Sequence, residues 1–303
     1  MTVSWEAIDR VTHGRLGRTM ATCPLCSENR HTPQKRRNEV LAVTLLEPEF
    51  AVFYCYHCGT NGYCRPDTPR LVINIAEQKR RRQQADRHTA FENAKRTQRA
   101  LAIWNDAEPF HGSPAEDYLR DNRGIGDWLD TFADLDEVFR FHPTCLFGLD
   151  QYLPCLVALV CDIKSNAGIG IHRTALTSDD PPQKIDRMSK GLIGGGAIKI
   201  SPDHEATRGL LIGEGIETVL SASKRFQFKP CWSLVSAGGV SNFPVLPGIE
   251  SVTIAVDNDP KGEGEQAAEE CAERLLAGGI EVITAQTEVV KDFNDLIRPR
   301  SHG

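Results

Sequence analysis

Two groups of residues in this 303-residue chain have types and spacings that could do chemistry. The first is a set of thiols. Cys23-Pro24-Leu25-Cys26 and Cys55-Tyr56-His57-Cys58 are CxxC pairs with 28 residues between them. Thiolates from two such turns make a closed tetrahedral site, structural rather than catalytic, and zinc suits it. Free buried cysteines would not need the pairing. His57 and Cys64 are alternates for one ligand. The second group is acidic. Glu214 follows the apolar run Leu210-Leu211-Ile212, and Asp257-Asn258-Asp259-Pro260-Lys261-Gly262 follows the run Ser251 to Val256. Carboxylates gathered in one place repel each other and call for a divalent cation.

The elements that would position these groups can be read from periodicity. In GLLIGEGIET, Gly209 to Thr218, a short buried strand ends in the sharp turn Gly213-Glu214-Gly215, and Ile216 to Arg225 has helical spacing. Glu214 therefore belongs at the carboxyl end of a strand, where open α/β sheets place ligands. Strands 209–213, 231–235, 251–256 and 280–284 alternate with helices 216–225 and 263–277, which predicts a parallel sheet covered by helices. An acidic close follows at Lys291-Asp292-Phe293-Asn294-Asp295. Glu217 and Glu263 read as helix-surface residues, with support of the acidic group from behind as the alternative for Glu217.

Upstream, a helix over Ser4 to Val11 precedes the first cysteine turn, and strands over Glu39 to Leu46 and Phe50 to Tyr54 lead to the second. Arg30, His31, Lys35, Arg36 and Arg37, with Phe53, Tyr54 and Tyr56 nearby, pair basic groups with aromatics, a combination suited to single-stranded nucleic acid and equally found on a solvated hairpin. Pro66 to Pro69 marks a boundary. A long helix runs from Ala76 to Asp106, opening on Lys79-Arg80-Arg81-Arg82 and becoming apolar at Leu101, Ile103 and Trp104, so its far end should dock. Ser113-Pro114-Ala115-Glu116 is a helix start. Leu153 to Asp162 reads as a central strand and Gly168 to Thr174 as its neighbour. Arg173, Lys184, Arg187, Lys190 and Lys199, punctuated by glycines, make a platform for phosphates or template, or simply a solvated β-rich connection.

Net charge is -6, unevenly spread: residues 1–105 hold 17 Lys/Arg against 10 Asp/Glu, the remainder 18 against 31. A basic front suits a polyanion and an acidic back a metal. No apolar run approaches membrane-spanning length and the N-terminus lacks a signal-peptide core, so a cytoplasmic protein without membrane contact is expected. Paired cysteines in such a compartment argue for metal over disulfides.

At Glu214-Gly215, Asp257-x-Asp259-x-x-Gly262 and Lys291-Asp292 the sequence resembles a Toprim domain, a fold shared by bacterial-type primases, topoisomerases and some nucleases. The four-cysteine ribbon ahead of it, together with YLRDNRGI (118–125), GIHRT (170–174) and GGGAIKI (194–200), resembles primases of the bacterial and phage type, including those of plasmids and integrated elements. The resemblance implies an α/β fold: a zinc-binding ribbon over 1–66, a basic helical linker over 67–112, a basic α+β subdomain over 113–206, and over 207–303 a Toprim parallel sheet with helices on both faces. It implies a DNA-dependent RNA primase that makes short primers on single-stranded DNA from NTPs. Glu214 would be a metal ligand or general base, Asp257 and Asp259 would hold magnesium or manganese, and Asp292 would complete the site. Arg173, Lys184, Lys190 and Lys199 would steady NTP phosphates or template. The cysteine pairs are more widely spaced than in typical primase ribbons. The chain ends soon after Leu296, so the helicase partner is expected to be a separate protein. A Toprim nuclease and a non-catalytic single-stranded-DNA-binding accessory protein are the alternatives; NTPs and template would yield primers from the first reading and fragments from the nuclease.

Overall fold

Alternation of apolar and polar residues builds the first sheet. In the computed structural model, which describes residues 3–66, 75–257, 262–287 and 293–297, the chain forms two compact units, Met1–Arg82 and Gln83–Gly303. The first contains helix α1 (Trp5–Thr12), strand β1 (Gly17–Thr22), the short helix α2 (Pro33–Arg36) and strands β2 (Glu39–Glu47), β3 (Phe50–Cys55) and β4 (Asn61–Cys64). The strands pair antiparallel in the order β1-β2-β3-β4. Leu41, Val43, Leu45, Ala51 and Phe53 are buried with Ile8 of α1, while Tyr54 and Tyr63, at alternating positions, are exposed. Ser4 caps α1 by accepting from the Ala7 amide.

Helix α3 (Ile75–Asp106) spans the boundary between the units, and its last turns dock. Ala100 and Trp104 are buried against Cys145, Phe147, Cys155, Val157 and Ile171. These belong to a second, antiparallel sheet in the order β5 (Glu108–Pro109), β6 (Phe139–Phe147), β7 (Gln151–Asp162), β8 (Gly168–Leu176), β9 (Lys184–Gly191), with β10 (Gly196–Ala197) also on β7. The expected central strand is thus β7, paired on both sides. Gly191 has φ +94° and lies so close to α3 that a Cβ there would meet the Ala100 methyl at 2.9 Å. Only glycine lets helix and sheet approach this far.

The third sheet is parallel throughout, in the order β12-β11-β13-β14, from β11 (Gly209–Gly213), β12 (Cys231–Ser233), β13 (Ser251–Val256) and β14 (Glu281–Gln286). Helices cover both faces, as parallel strands require. Leu210, Ile212, Val252 and Ile254 pack with residues of α6 (Ala237–Ser241) and α7 (Glu263–Ala277). Leu211 and Ala255, one step along their strands, pack with α5 (Ile216–Phe226) and Phe293 of α8 (Phe293–Ile297). The same core takes in Tyr118, Leu119, Phe139 and Leu156, so the second and third sheets close on one hydrophobic interior. An antiparallel bridge between Ile198 and Ser233 stitches them at the backbone, with N–H···O distances of 2.7 and 3.0 Å. The expected strand 231–235 is shorter because the chain turns at Val235, where φ is +68°.

Candidate metal and nucleotide site

Gly213 determines where Glu214 stands. A Cβ at Gly213 would lie 2.9 Å from Val219 Cγ2 and 3.0 Å from the Ala255 carbonyl oxygen. The absent side chain lets the end of β11 tuck between α5 and β13. Beyond it, the Glu214 carbonyl accepts from the Val235 amide at 2.9 Å and the Ser233 hydroxyl at 2.7 Å. The turn is therefore held from β12, and the Glu214 side chain leaves it half-buried. Register pairs Gly213 with Ala255 in β13, and Asp257 follows two residues later. Both carboxylates thus emerge from the carboxyl ends of adjacent parallel strands. Thr218, in the first turn of α5, donates to Asp257 at 2.8 Å to one oxygen, with 3.1 Å to the other. Asp259, Asp292 and Lys291 lie outside the described residues. Phe293, next in sequence to Asp292, is buried against Phe226 of α5, and Asn294 bonds Arg123 and Ser221.

The second sheet reaches this edge through β9. Lys184 Nζ lies 3.0 Å from Glu217 Oε1, and Arg187 Nη2 lies 3.3 Å from Glu214 Oε1. Glu217 also accepts from the Tyr118 hydroxyl at 2.6 Å, and Arg123 Nε donates to that hydroxyl at 2.8 Å. Burial alone would raise the Glu217 carboxyl. Lys184, the Tyr118 hydroxyl and Arg123 outweigh it and hold the group at about 2. His172 shares a hydrogen bond with Ser189 at 2.9 Å. Burial, helped by the positive charges of Arg187, Lys184 and Arg173, brings it down to about 4, so it is neutral at pH 7.

The sequence reading placed Glu217 on a helix surface, but it is the anchor of a semi-buried polar network. Its partners Tyr118, Arg123 and Lys184 are 99, 94 and 33 residues away, and no local pattern joins them. Of the basic residues singled out from sequence, Lys184 alone meets the first turn of α5. Arg173 points the other way from β8, as the alternation of strand side chains requires. Its guanidinium donates to the Leu146 carbonyl and lies 5.5 Å from the Phe147 ring centroid. Lys199 is buried on the α6 and α7 side, bonded to Asp203 at 2.6 Å and to the Ile163 carbonyl at 3.2 Å, over Trp232. Lys190 is half-buried beside Ile171, on the face that α3 covers.

In the first unit, the Sγ atoms of Cys23, Cys26, Cys55 and Cys58 all lie within 4.8 Å of one another. Cys23 to Cys58 is 3.9 Å and Cys26 to Cys55 is 3.8 Å. A tetrahedron with metal–sulfur bonds of about 2.3 Å has edges of about 3.8 Å, so the four sulfurs fit one zinc-sized ion. Burial raises the thiols of Cys23 and Cys26, whereas at Cys55 the amides of Cys58 and His57 and the neighbouring thiols outweigh burial and bring it down to about 7. Cys64 is outside the cluster, its thiol 3.9 Å from the Arg65 carbonyl. Among the described residues this is the only set of three or more Cys, His, Asp or Glu arranged to hold an ion.

Comparison with known proteins adds two matches along the chain. Residues 209–303 match the model of the Toprim domain, which covers the parallel sheet and both carboxylates. Residues 94–200 match a domain of unknown function (DUF7146), which covers the antiparallel sheet and the end of α3. No curated protein matches. A chain in the solved structure of bacteriophage T7 lagging-strand DNA polymerase interacting with primase domains of two gp4 subunits, bound to an RNA/DNA hybrid and dTTP, is similar at a TM-score of 0.34 and 13% identity, over 86% of each chain. Among the described residues no helix is long and apolar enough to cross a membrane. The region of the third sheet is thus similar to Toprim domains in sequence, and it is an α/β unit, a parallel sheet with helices on both faces.

Proposed function

We propose that this chain is a DNA-dependent RNA primase, joining NTPs on a single-stranded DNA template. The observation that carries the reading is the placement of Glu214 and Asp257 just after the ends of adjacent parallel strands, with Arg187 of β9 3.3 Å from Glu214. Hard carboxylate oxygens suit magnesium or manganese, with Asp259 and Asp292 proposed as further ligands. When bound, the ions would neutralise a triphosphate and make a 3′-hydroxyl a better nucleophile.

This chain's own residues do the positioning. Thr218 donates to Asp257 and orients its carboxylate. The Ser233 and Val235 donors fix the backbone of Glu214. Lys184, tied to Glu217, holds β9 against α5, so the basic edge stays beside the carboxylates. Arg187, half exposed, is within reach of an incoming phosphate. Zinc held by Cys23, Cys26, Cys55 and Cys58 would fold the ribbon, and the ribbon would select where priming starts. Lys190 is proposed for template. A replicative helicase is the proposed protein partner.

The test is incubation with NTPs, magnesium and single-stranded templates of varied sequence. Short RNA products are expected, and Asp257→Asn should abolish them while leaving single-stranded DNA binding largely intact. Cleavage fragments in place of primers would move the assignment to a Toprim nuclease. Undiminished synthesis by the variant would remove Asp257 from the site.

A further inference from the structure

The two acidic residues of α5 and its preceding turn, Glu214 and Glu217, stand three positions apart, and β9 answers them with Lys184 and Arg187. The two ion pairs differ in exposure. In the inner pair the side chains of Lys184 and Glu217 are 30% and 14% exposed, and Glu217 has Tyr118 as a second donor. In the outer pair Arg187 is 50% and Glu214 28% exposed, and its 3.3 Å contact is longer. The inner pair is built to persist. The outer one is an exposed, weak pair of the kind that exchanges partners readily.

Building on the proposed nucleotidyl transfer, we propose that Arg187 is a gate on Glu214. It occupies the carboxylate when no nucleotide is bound, and it moves to the polyphosphate of the incoming NTP when one arrives. A bare divalent cation at Glu214 would sit beside a guanidinium, and the two positive charges repel. A metal-bound polyphosphate removes the conflict, because its oxygens accept from Arg187 while its cation takes Glu214. The site therefore favours the metal–nucleotide complex over metal alone, and this coupling is reciprocal between cation and nucleotide. Lys184 keeps β9 in place while Arg187 changes partner, which makes it a positioning residue rather than a phosphate ligand.

Arg187 is exposed on a sheet-edge strand, so its truncation should spare the fold; a thermal melt checks this, and Arg187→Lys provides a second variant that keeps the charge. Binding of manganese alone to the full chain is followed by electron paramagnetic resonance of the free ion, without nucleotide. Removing an exposed pair partner worth up to about 1 kcal/mol corresponds to about a two- to fivefold change. Arg187→Ala should tighten manganese by that factor and weaken ATP binding, measured by equilibrium dialysis in manganese, by about tenfold. Arg187→Lys should fall between parent and alanine in both. Manganese affinity unchanged or weakened in Arg187→Ala overturns the gate, as does unchanged ATP affinity. Glu214→Gln and Asp257→Asn separate this from the underlying assignment. If they lower manganese binding and Arg187→Ala fails to raise it, the gate alone is wrong. If they leave manganese binding intact, the metal site and the gate fall together.

Discussion

Glu217 concentrates the electrostatics of the site in one side chain. Its carboxyl is held at about 2, well below the ordinary glutamate value near 4.3. A depressed folded-state value stabilises the protein above the unfolded value, and that stabilisation is lost as pH falls through the folded one. The Glu217 contribution should therefore be complete above about pH 5 and vanish toward pH 2. Glu217→Gln should cost about 2 kcal/mol at pH 7, the range for a charge-assisted hydrogen bond, and should flatten the acid limb of stability in that window. Urea unfolding at a series of pH values measures both. An acid limb as steep as the parent's would show that the carboxyl is not ionised by its neighbours. Sequence alone favoured the helix surface for this residue over support of the acidic group, since i to i+3 spacing from Glu214 says nothing about a tyrosine 99 residues from Glu217.

At the scale of elements, the β11–α5 turn and the cysteine turns each carry a sharp requirement. Gly213→Ala would set a methyl within 3.0 Å of the Ala255 carbonyl oxygen and Val219. Overpacking of this kind costs about 1–3 kcal/mol. It should also shift Glu214 and so lower nucleotide joining more than stability alone accounts for; a thermal melt beside a primer assay separates the two effects. In the ribbon the apolar core is small, and an ion held by the four thiols would add folding energy to it. Chelation, or Cys55→Ser, should unfold β1 to β4 and leave Gln83–Gly303 with its own transition, because that unit has separate cores. Calorimetry and metal analysis check this, with a single zinc per parent chain expected. Retention of the first transition after metal removal would show that the thiols alone hold the ribbon.

Across the whole molecule, charge is unevenly spread, with a basic first third and an acidic remainder, a distribution that suits the proposed contact of the first unit with a polyanion. De novo initiation should fail in Cys55→Ser while extension of a supplied primer persists at reduced level, since the proposed chemistry lies in the second unit. Normal initiation by this variant would exclude the ribbon as template reader. Template contact by Lys190 should show as salt dependence: Lys190→Ala should shallow the log–log slope of single-stranded DNA binding by about 0.7. An unchanged slope assigns Lys190 to solvent. These two measurements address different units, so neither result depends on how the units are arranged.

Local chemistry was enough to read the parallel sheet, the helix after Glu214, the docking end of α3 and the paired cysteines. Each is encoded by residues close in sequence: strand runs bounded by glycine, a 3.6-residue apolar stripe, CxxC spacing. Tertiary structure decided what the charged side chains do. Arg173, on an expected strand, and Lys184, in the basic stretch that follows it, look alike in sequence as cations for a phosphate. Strand alternation and register send Arg173 under the sheet to the Leu146 carbonyl and Lys184 out to Glu217. Lys199 is drawn inward by Asp203 and the Trp232 ring, and Arg187 is set against Glu214. A cation's role follows from the partner that long-range packing supplies, and that partner is 27 to 33 residues off for Arg173, Lys184 and Arg187.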